Sequence, residues 1–235
     1  MSDMYNVSVV IPVHNAMQTV KRAIDSAFKG GAAEVIVVDD GATDGTWMLL
    51  QALTDTYGHE RYKLLSTGGV FPAGVCHARN YGIAHARYEA IIPLDADDYF
   101  VPDGISVLCK GLERSSLEQC VVYGARYVDG KTEVEQAPPP GMLNRKNLTG
   151  ATYLFSTRLW QAAGGYHPDF NLGCEDWALM CALVSAGAQL VQVHEPAYVY
   201  TSGGQRGARC IRYADALWAL LRAHYPKVFD AQPSR

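Results

Sequence analysis

The sequence predicts an α/β protein: a Rossmann-like, mostly parallel central sheet flanked by helices, with a smaller mixed-sheet region behind it. Three observations predict this. The first is a set of short, near-continuous apolar runs, V-S-V-V-I-P-V (7–13), E-V-I-V-V (34–38) and A-I-I-P-L (90–94). Strands buried on both faces of a parallel sheet read this way. The second is the helical periodicity between those runs, which gives the order β-α-β-α-β-α-β and right-handed crossovers. The third is the placement of the polar clusters. His14-Asn15, Asp39-Asp40 and Asp95-Asp97-Asp98 each follow directly on a strand. Sheets of this kind bind ligands beyond the carboxyl ends of their strands, and unrelated surface turns would not be expected to converge on one rim.

Taken in order, the first strand ends at His14-Asn15, a turn and helix start. Val20, Ala23, Ile24, Ala27 and Phe28 recur at helical spacing, and Gly30-Gly31 ends that helix. The run over 34–38 leads into Asp39-Asp40-Gly41. Thr43 or Asp44 caps the next helix, which carries Trp47, Leu50 and Leu53 on one side. A strand over 62–65, a glycine-bearing loop and a helix over 74–86 follow. The fourth strand, 90–94, closes in Asp95-Ala96-Asp97-Asp98.

The second half is less regular. It reads as a helix over 102–113, a strand over 120–128 with 132–136 as its partner, and A-P-P-P-G (137–141) as the clearest linker. A strand over 149–156 and a turn over 164–168 come next. The segment N-L-G-C-E-D-W (171–177) leads a helix through Ser185, followed by a strand over 189–193. T-S-G-G-Q-R-G (201–207) reads as a flexible loop. A last helix over 208–224 has Ile211, Ala214, Leu217, Trp218 and Leu221 on one stripe.

Composition narrows the function classes. With 49% hydrophobic and 19% charged residues among 235, a packed core is expected and disorder is not. A net charge of −4 argues against general nucleic-acid binding. The six cysteines are scattered without a C-x-x-C pair, so neither a zinc ribbon nor a redox pair is indicated. The opening M-S-D-M-Y-N lacks a basic region and an apolar core, and no apolar run approaches the ~20 residues of a membrane span. The expectation is a cytoplasmic protein with reduced thiols.

The acidic strand end carries the chemistry. Three carboxylates within four residues repel one another, and each is costly to desolvate. A divalent cation offsets both effects. Oxygen-only ligands suit a hard ion such as Mg²⁺ or Mn²⁺, which keeps part of its shell for water and a diphosphate. Asp95 and Asp97, two apart, would share one face of an extended backbone. The alternative is a surface turn whose aspartates cap the following helix.

Three segments together resemble the family 2 glycosyltransferases of the GT-A fold. They are V-S-V-V-I-P-V-H-N with E-V-I-V-V-D-D-G-A-T-D-G; G-V-C-H-A-R-N-Y-G-I-A with I-I-P-L-D-A-D-D; and G-G-Y-H-P-D-F-N-L-G-C-E-D-W. The resemblance implies an inverting transfer from a nucleotide sugar, a UDP-sugar by expectation, to a hydroxyl of a glycan, a glycolipid (lipid-linked glycan) or a small molecule. It places Pro12, His14, Asn15, Asp39 and Asp40 at the nucleotide, with Arg79 and Asn80 near it. It makes Asp95, Asp97 and Asp98 the D-x-D region that binds Mn²⁺ or Mg²⁺ and the sugar nucleotide. Asp176 takes the catalytic-base position with Glu175 beside it, and Trp177 either packs in the acceptor site or braces the helix. The whole of 1–235 is then one GT-A domain: a donor half over 1–101, an acceptor and base half over 102–200, and a loop and helix over 201–235. The loop over 201–207 is the expected lid, and Arg206 an expected phosphate contact.

The sequence departs from the family at His14, where Tyr is common, and at Thr201-Ser202, where an Arg and a His are common. Arg206, Arg209 and Arg212 make the last segment basic; the alternatives are a solvated face, or contact with phosphate, an anionic acceptor or the inner membrane surface. Competing functions are a silent nucleotide-sugar-binding module and a haloacid-dehalogenase-like phosphatase, against which Tyr99 and the position of L-D-A-D both argue. An EF-hand over 40–51 fails because Ala42 and Gln51 stand where ligands are needed. His77 and His85 lack metal spacing and read as surface or partly buried residues; His194 reads as structural, with a metal or phosphate contact as its alternative, and Cys174 as a packing residue.

Overall fold

The computed structural model describes residues 5–69, 71–131, 133–201 and 212–230. The chain runs β1 (Val7–Val13), α1 (Val20–Lys29), β2 (Glu34–Asp39), α2 (Thr46–Tyr57), β3 (Tyr62–Ser66), α3 (Val75–Ala84), β4 (Ala90–Pro93) and β5 (Tyr99–Phe100). It continues through α4 (Gly104–Lys110), β6 (Cys120–Val128), β7 (Val134–Glu135), β8 (Tyr153–Ser156), α5 (Thr157–Ala163), α6 (Glu175–Ser185), β9 (Gln189–Tyr200), α7 (Ala214–His224) and α8 (Pro226–Phe229).

The strands form one mixed sheet in the order β3-β2-β1-β4-β8-β6-β9-β5, with β7 on β6. β1 lies parallel to β2 and β4, and β2 parallel to β3. β8 runs antiparallel to both β4 and β6, so it joins the parallel half to the mixed half. The continuous apolar character of β1 and β2 follows from helices on both faces. Val9, Ile11, Val35 and Val37 pack with Ile24, Leu50 and Leu108 on one side. Val10, Ile36 and Val38 pack with Ala78, Leu179, Leu183 and Leu221 on the other. Gly82 lets α3 approach closely: a Cβ there would lie 2.6 Å from Val10 Cγ1 and 2.9 Å from Val38 Cγ2.

Several elements differ from the sequence reading. The fourth strand ends in a turn, closed by Asp98 N–H donating to Asp95 O at 3.1 Å. Asp95 and Asp97 therefore converge through a turn and not by alternation along extended backbone. β9 is twelve residues long, not five; its pairing with β6 shifts register around Gly124 and Ala125, which carries the strand past Glu195-Pro196. The predicted helix over 102–113 is α4 followed by a 3₁₀ turn at Gly111–Arg114. The segment 137–141 is no free linker. Tyr123 Oη donates to Pro138 O at 2.9 Å and Gln192 Nε2 to Ala137 O at 2.7 Å, strapping it to β6 and β9. Of the predicted loop over 201–207 only Thr201 is described; Arg206, Arg209 and the predicted helix start over 208–211 lie outside the described residues. No helix among the described residues is long and apolar enough to cross a membrane.

Candidate active site

The parallel register brings the ends of β1 and β2 together. Asp40 N–H donates to Val13 O at 2.8 Å, and His14 Nδ1 bonds Asp40 O at 2.8 Å. Pro12 is buried inside β1 opposite Val38, whereas His14 and Asn15 are exposed at the rim. Asn15 takes a left-handed conformation (φ 51°), which Asn tolerates better than most residues, and its Oδ1 accepts from Thr43 N–H at 2.6 Å. Asp44 Oδ1 accepts from Thr46 N–H at 3.1 Å, but the N-cap of α2 is Gly45 (φ 85°), without a side-chain cap, and not the predicted Thr43 or Asp44.

The two aspartates at the end of β2, Asp39 within it and Asp40 just past it, do different work. Asp40 is turned onto the following loop: its oxygens accept from Thr67 Oγ1 at 2.9 Å, Ala73 N–H at 2.8 Å and Gly74 N–H at 2.9 Å. Asp39 is equally buried, but its Oδ1 has no hydrogen-bond partner. Burial pushes the Asp39 carboxyl pKa up, against the backbone N–H groups of Ala42 and Gly41.

The acidic turn gathers Asp95, Asp97 and Asp98 so that one oxygen from each lies within 4.8 Å of the others. Asp98 is 2% exposed; burial first, then the charges of Asp95 and Asp97, raise its carboxyl to about 8. Thr201 closes over this turn. Its N–H donates to Asp98 Oδ1 at 2.8 Å and its Oγ1 to Asp97 O at 2.7 Å. Arg22 adds a bond to Asp97 O at 2.9 Å and lies over the Tyr99 ring.

Arg79 joins this turn to the second half. It is fully buried, with Nη2 on Asp95 Oδ1 at 2.5 Å and Nη1 on Glu175 Oε1 at 2.9 Å. Its guanidinium also faces the Tyr166 ring. A buried cation between two carboxylates satisfies the pairing that burial demands. The next residue, Asp176, sits in the first turn of α6. Its Oδ1 accepts from Trp177 N–H and its Oδ2 from Asn147 Nδ2, both at 2.8 Å. Burial first, then the charge of Glu175, raise its carboxyl to about 6 against the pull of Arg79. Asp176 borders a cavity of about 360 Å³ walled also by Arg126, Asn147, Thr149 and Tyr200.

Asp95, Arg79, Glu175 and Asp176 are thus brought into one connected cluster. Asn80 is not part of it: its Nδ2 donates to Tyr166 O, and its Oδ1 accepts from Tyr166 N–H and Trp160 Nε1. It braces the turn before α6. Trp177 takes the bracing role of its two alternatives, donating to Leu143 O at 2.9 Å and packing edge-on against Trp218. His194 is exposed on β9. Sequence reasoning missed Asn147 and Arg126. Asn147 meets Asp176 across 29 residues with no local pattern to mark it. Arg126 sits in an apolar strand, and its pairing with Glu135 and stacking on Tyr200 appear only once β6, β7 and β9 are assembled.

Open α/β sheets bind ligands beyond the carboxyl ends of their strands, which is where these carboxylates gather. Residues 8–173 match Glycosyl transferase family 2, and the chain belongs to that family. Over 171 residues it is 29% identical to the chondroitin synthase of Pasteurella multocida (strain Pm70), covering 68% of this chain and 17% of that protein. It is 24% identical over 235 residues to the Escherichia coli UDP-Glc:alpha-D-GlcNAc-diphosphoundecaprenol beta-1,3-glucosyltransferase WfaP, covering 93% and 88% of the two. The chain spans between 17% and 29% of the length of the first three curated relatives it matches. Among solved structures, Staphylococcus aureus TarS 1-349 in complex with UDP-GlcNAc superposes with a TM-score of 0.75 at 16% identity, over 95% of this chain and 70% of that one. The mannosyltransferase PcManGT of Pyrobaculum calidifontis, in complex with GDP-Man and Mn²⁺, gives 0.68 at 17% identity, over 97% and 73%. The fold is the GT-A-like mixed α/β sheet expected from the sequence.

Proposed function

We propose that this chain transfers a sugar from a nucleotide sugar, a UDP-sugar, to an acceptor hydroxyl with inversion at the anomeric carbon. The observation that carries the reading is the connected cluster itself. An acidic turn at the end of β4 is joined through Arg79 to Glu175, and the neighbouring Asp176 faces a cavity. Family membership supports it, as do the UDP-glucose in the WfaP name and the UDP-GlcNAc bound by TarS.

The nucleotide lies over Pro12, His14, Asn15, Asp39 and Asp40. The unpartnered buried Asp39 Oδ1 suits an N–H donor such as a nucleobase imide, while Asp40 holds the loop after β3. The donor set at Asp95, Asp97 and Asp98 fits a hard divalent ion, Mn²⁺ or Mg²⁺: three carboxylates converge, and burial together with the charges of Asp95 and Asp97 leaves Asp98 reluctant to ionise. PcManGT, a fold neighbour, holds Mn²⁺. When bound, such an ion supplies positive charge against the departing diphosphate.

Asp176 is the general base. A carboxyl raised to about 6 is ionised at neutral pH yet more basic than an ordinary aspartate. Asn147 and Trp177 N–H fix its orientation, leaving the cavity for the acceptor. Its proton comes from the acceptor hydroxyl as that oxygen attacks opposite the leaving group, so no covalent enzyme intermediate is needed. Arg79 holds Asp95 and Glu175 in register and so acts as a positioning residue. Residues 1–101 thus serve the donor and 102–200 the acceptor. Arg206 is proposed as a phosphate contact and 201–207 as a lid; of these residues only Thr201, bonded to the acidic turn, is described. The acceptor is a glycan or lipid-linked glycan, by analogy with WfaP, reached at the cytoplasmic face of a membrane. The test is sugar transfer or donor hydrolysis over a panel of nucleotide sugars with Mn²⁺. Turnover of at least one donor is expected; inertness toward all of them overturns the reading.

A further inference from the structure

The geometry points to a second metal site, separate from the acidic turn and suited to a divalent transition ion of the zinc class, formed by His167, Asp169 and His224. The three residues come from two places. His167 and Asp169 flank Pro168 at the 3₁₀ turn Pro168–Phe170, and His224 is the last residue of α7. One donor atom from each lies within 4.8 Å of the other two. His224 Nε2 lies 3.1 Å and His167 Nδ1 3.6 Å from the same oxygen, Asp169 Oδ2. A tetrahedral ion with ~2.0–2.1 Å bonds has ligand–ligand edges of about 3.3 Å, and these two separations bracket that value. Two imidazole nitrogens within 3.6 Å of one carboxylate oxygen exceed what a single His–Asp hydrogen bond requires.

The donor set selects the ion. Two nitrogens and one oxygen suit Zn²⁺ and its neighbours, in contrast to the oxygen-only set at Asp95, Asp97 and Asp98. Three protein ligands leave a fourth position for water, which the partial exposure of all three side chains permits. His167 Nδ1 now accepts a long bond, 3.3 Å, from Asp169 N–H, and the ion would take that place. The imidazoles are already ordered: their centroids lie 4.5 Å apart, and His224 packs edge-on against the fully buried Phe170 ring at 5.5 Å. Little ordering therefore remains to oppose binding.

The position gives the ion a structural role. α7 buries Leu217 and Leu221 in the core layer that also holds Leu179 and Leu183 of α6. The 3₁₀ turn leads into Gly173, Cys174 and the start of α6. An ion here staples the end of α7 to the segment that presents Glu175 and Asp176.

The test uses the full metal-free chain without nucleotide or acceptor, so its outcome is independent of the glycosyltransferase reading. Zn²⁺ is titrated calorimetrically and in thermal melts, and Co²⁺ is followed by its visible d–d absorption. One tight site is expected, with a Tm rise of roughly 5–10 °C at a hundred-fold excess of Zn²⁺ over Kd. His167→Asn and His224→Asn, each with an unchanged far-UV circular dichroism spectrum, should lose the rise and the Co²⁺ band. Asp97→Asn should keep both. Absence of stoichiometric Zn²⁺ binding to the wild-type chain overturns the proposal, as does tight binding that survives both histidine changes made in the Asp97→Asn background, where the acidic turn cannot supply it.

Discussion

Replacing Asp176 with Asn separates base chemistry from architecture. The amide is nearly isosteric, and its oxygen can still accept from Trp177 N–H, now at 2.8 Å. The other bond is also recoverable. Asn147 Oδ1 is buried without a partner, so a flip of the Asn147 amide lets it accept from the new side-chain N–H. The fold should therefore be untouched while the proton acceptor is lost. A positioned base contributes ~10²–10⁴-fold, or about 3–5 kcal/mol of barrier. Transfer turnover should fall by that factor, with little change in donor KM. The pH profile adds a second reading. With the carboxyl at about 6, the ionised fraction drops roughly tenfold between pH 7 and pH 5, so wild-type kcat/KM should show an acid limb there and the variant should not. The sign for stability is the opposite of that for activity. A folded pKa above the unfolded value of about 3.9 means the folded state holds its proton more tightly, so this group's contribution to stability declines as pH rises from about 4 through 6. Asp176→Asn should melt no lower than wild type at pH 7. Steady-state kinetics between pH 5 and 8, with melts at pH 7, decide the matter. A variant retaining full transfer, or a wild-type profile without that limb, removes Asp176 from the base role.

Other perturbations follow from the same geometry. Asn147→Ala removes a donor that favours the ionised Asp176, so the acid limb should move to higher pH; an unmoved limb would show that the bond does not tune the base. Arg79→Met removes the buried cation shared by Asp95 and Glu175 and should cost about 3–5 kcal/mol in urea unfolding, whereas a loss below about 1 kcal/mol would contradict that pairing. Gly82→Ala gains up to about 1 kcal/mol of helix propensity but drives a methyl into Val10 and Val38, so a net loss of roughly 1–2 kcal/mol is expected. Gly104→Ala should be worse, because its Cβ would fall 1.9 Å from the Ala197 carbonyl oxygen, which is backbone and cannot rotate away.

The first half of the fold was legible because each signal there is local. β1, β2 and β4 announce themselves as apolar runs, since helices cover both faces. The second half hid itself for identifiable reasons. In β9, Glu195-Pro196 interrupts the apolar pattern, yet the shifted register on β6 carries the strand through to Tyr200. β5 is two residues long and is recognisable only from its pairing with Val199 and Tyr198. Proline-rich 137–141 reads as a linker, but Tyr123 and Gln192, distant in sequence, make it a wall of the cavity. The site divides the same way. The carboxylates of the acidic turn are adjacent in sequence and visible. The Arg79 link spans 16 residues to Asp95 and 96 to Glu175, and only the assembled sheet discloses it.

The central claim is that the acidic turn after β4 holds a divalent ion for a nucleoside diphosphate. Calorimetric titration of UDP into the protein, with Mn²⁺ and after chelation, tests it most directly. The account predicts binding in Mn²⁺ that weakens at least about tenfold, or 1.4 kcal/mol, when the metal is removed or Asp97 is changed to Asn. Equal affinity with and without metal would contradict it, as would no heat from any nucleoside diphosphate at millimolar concentration.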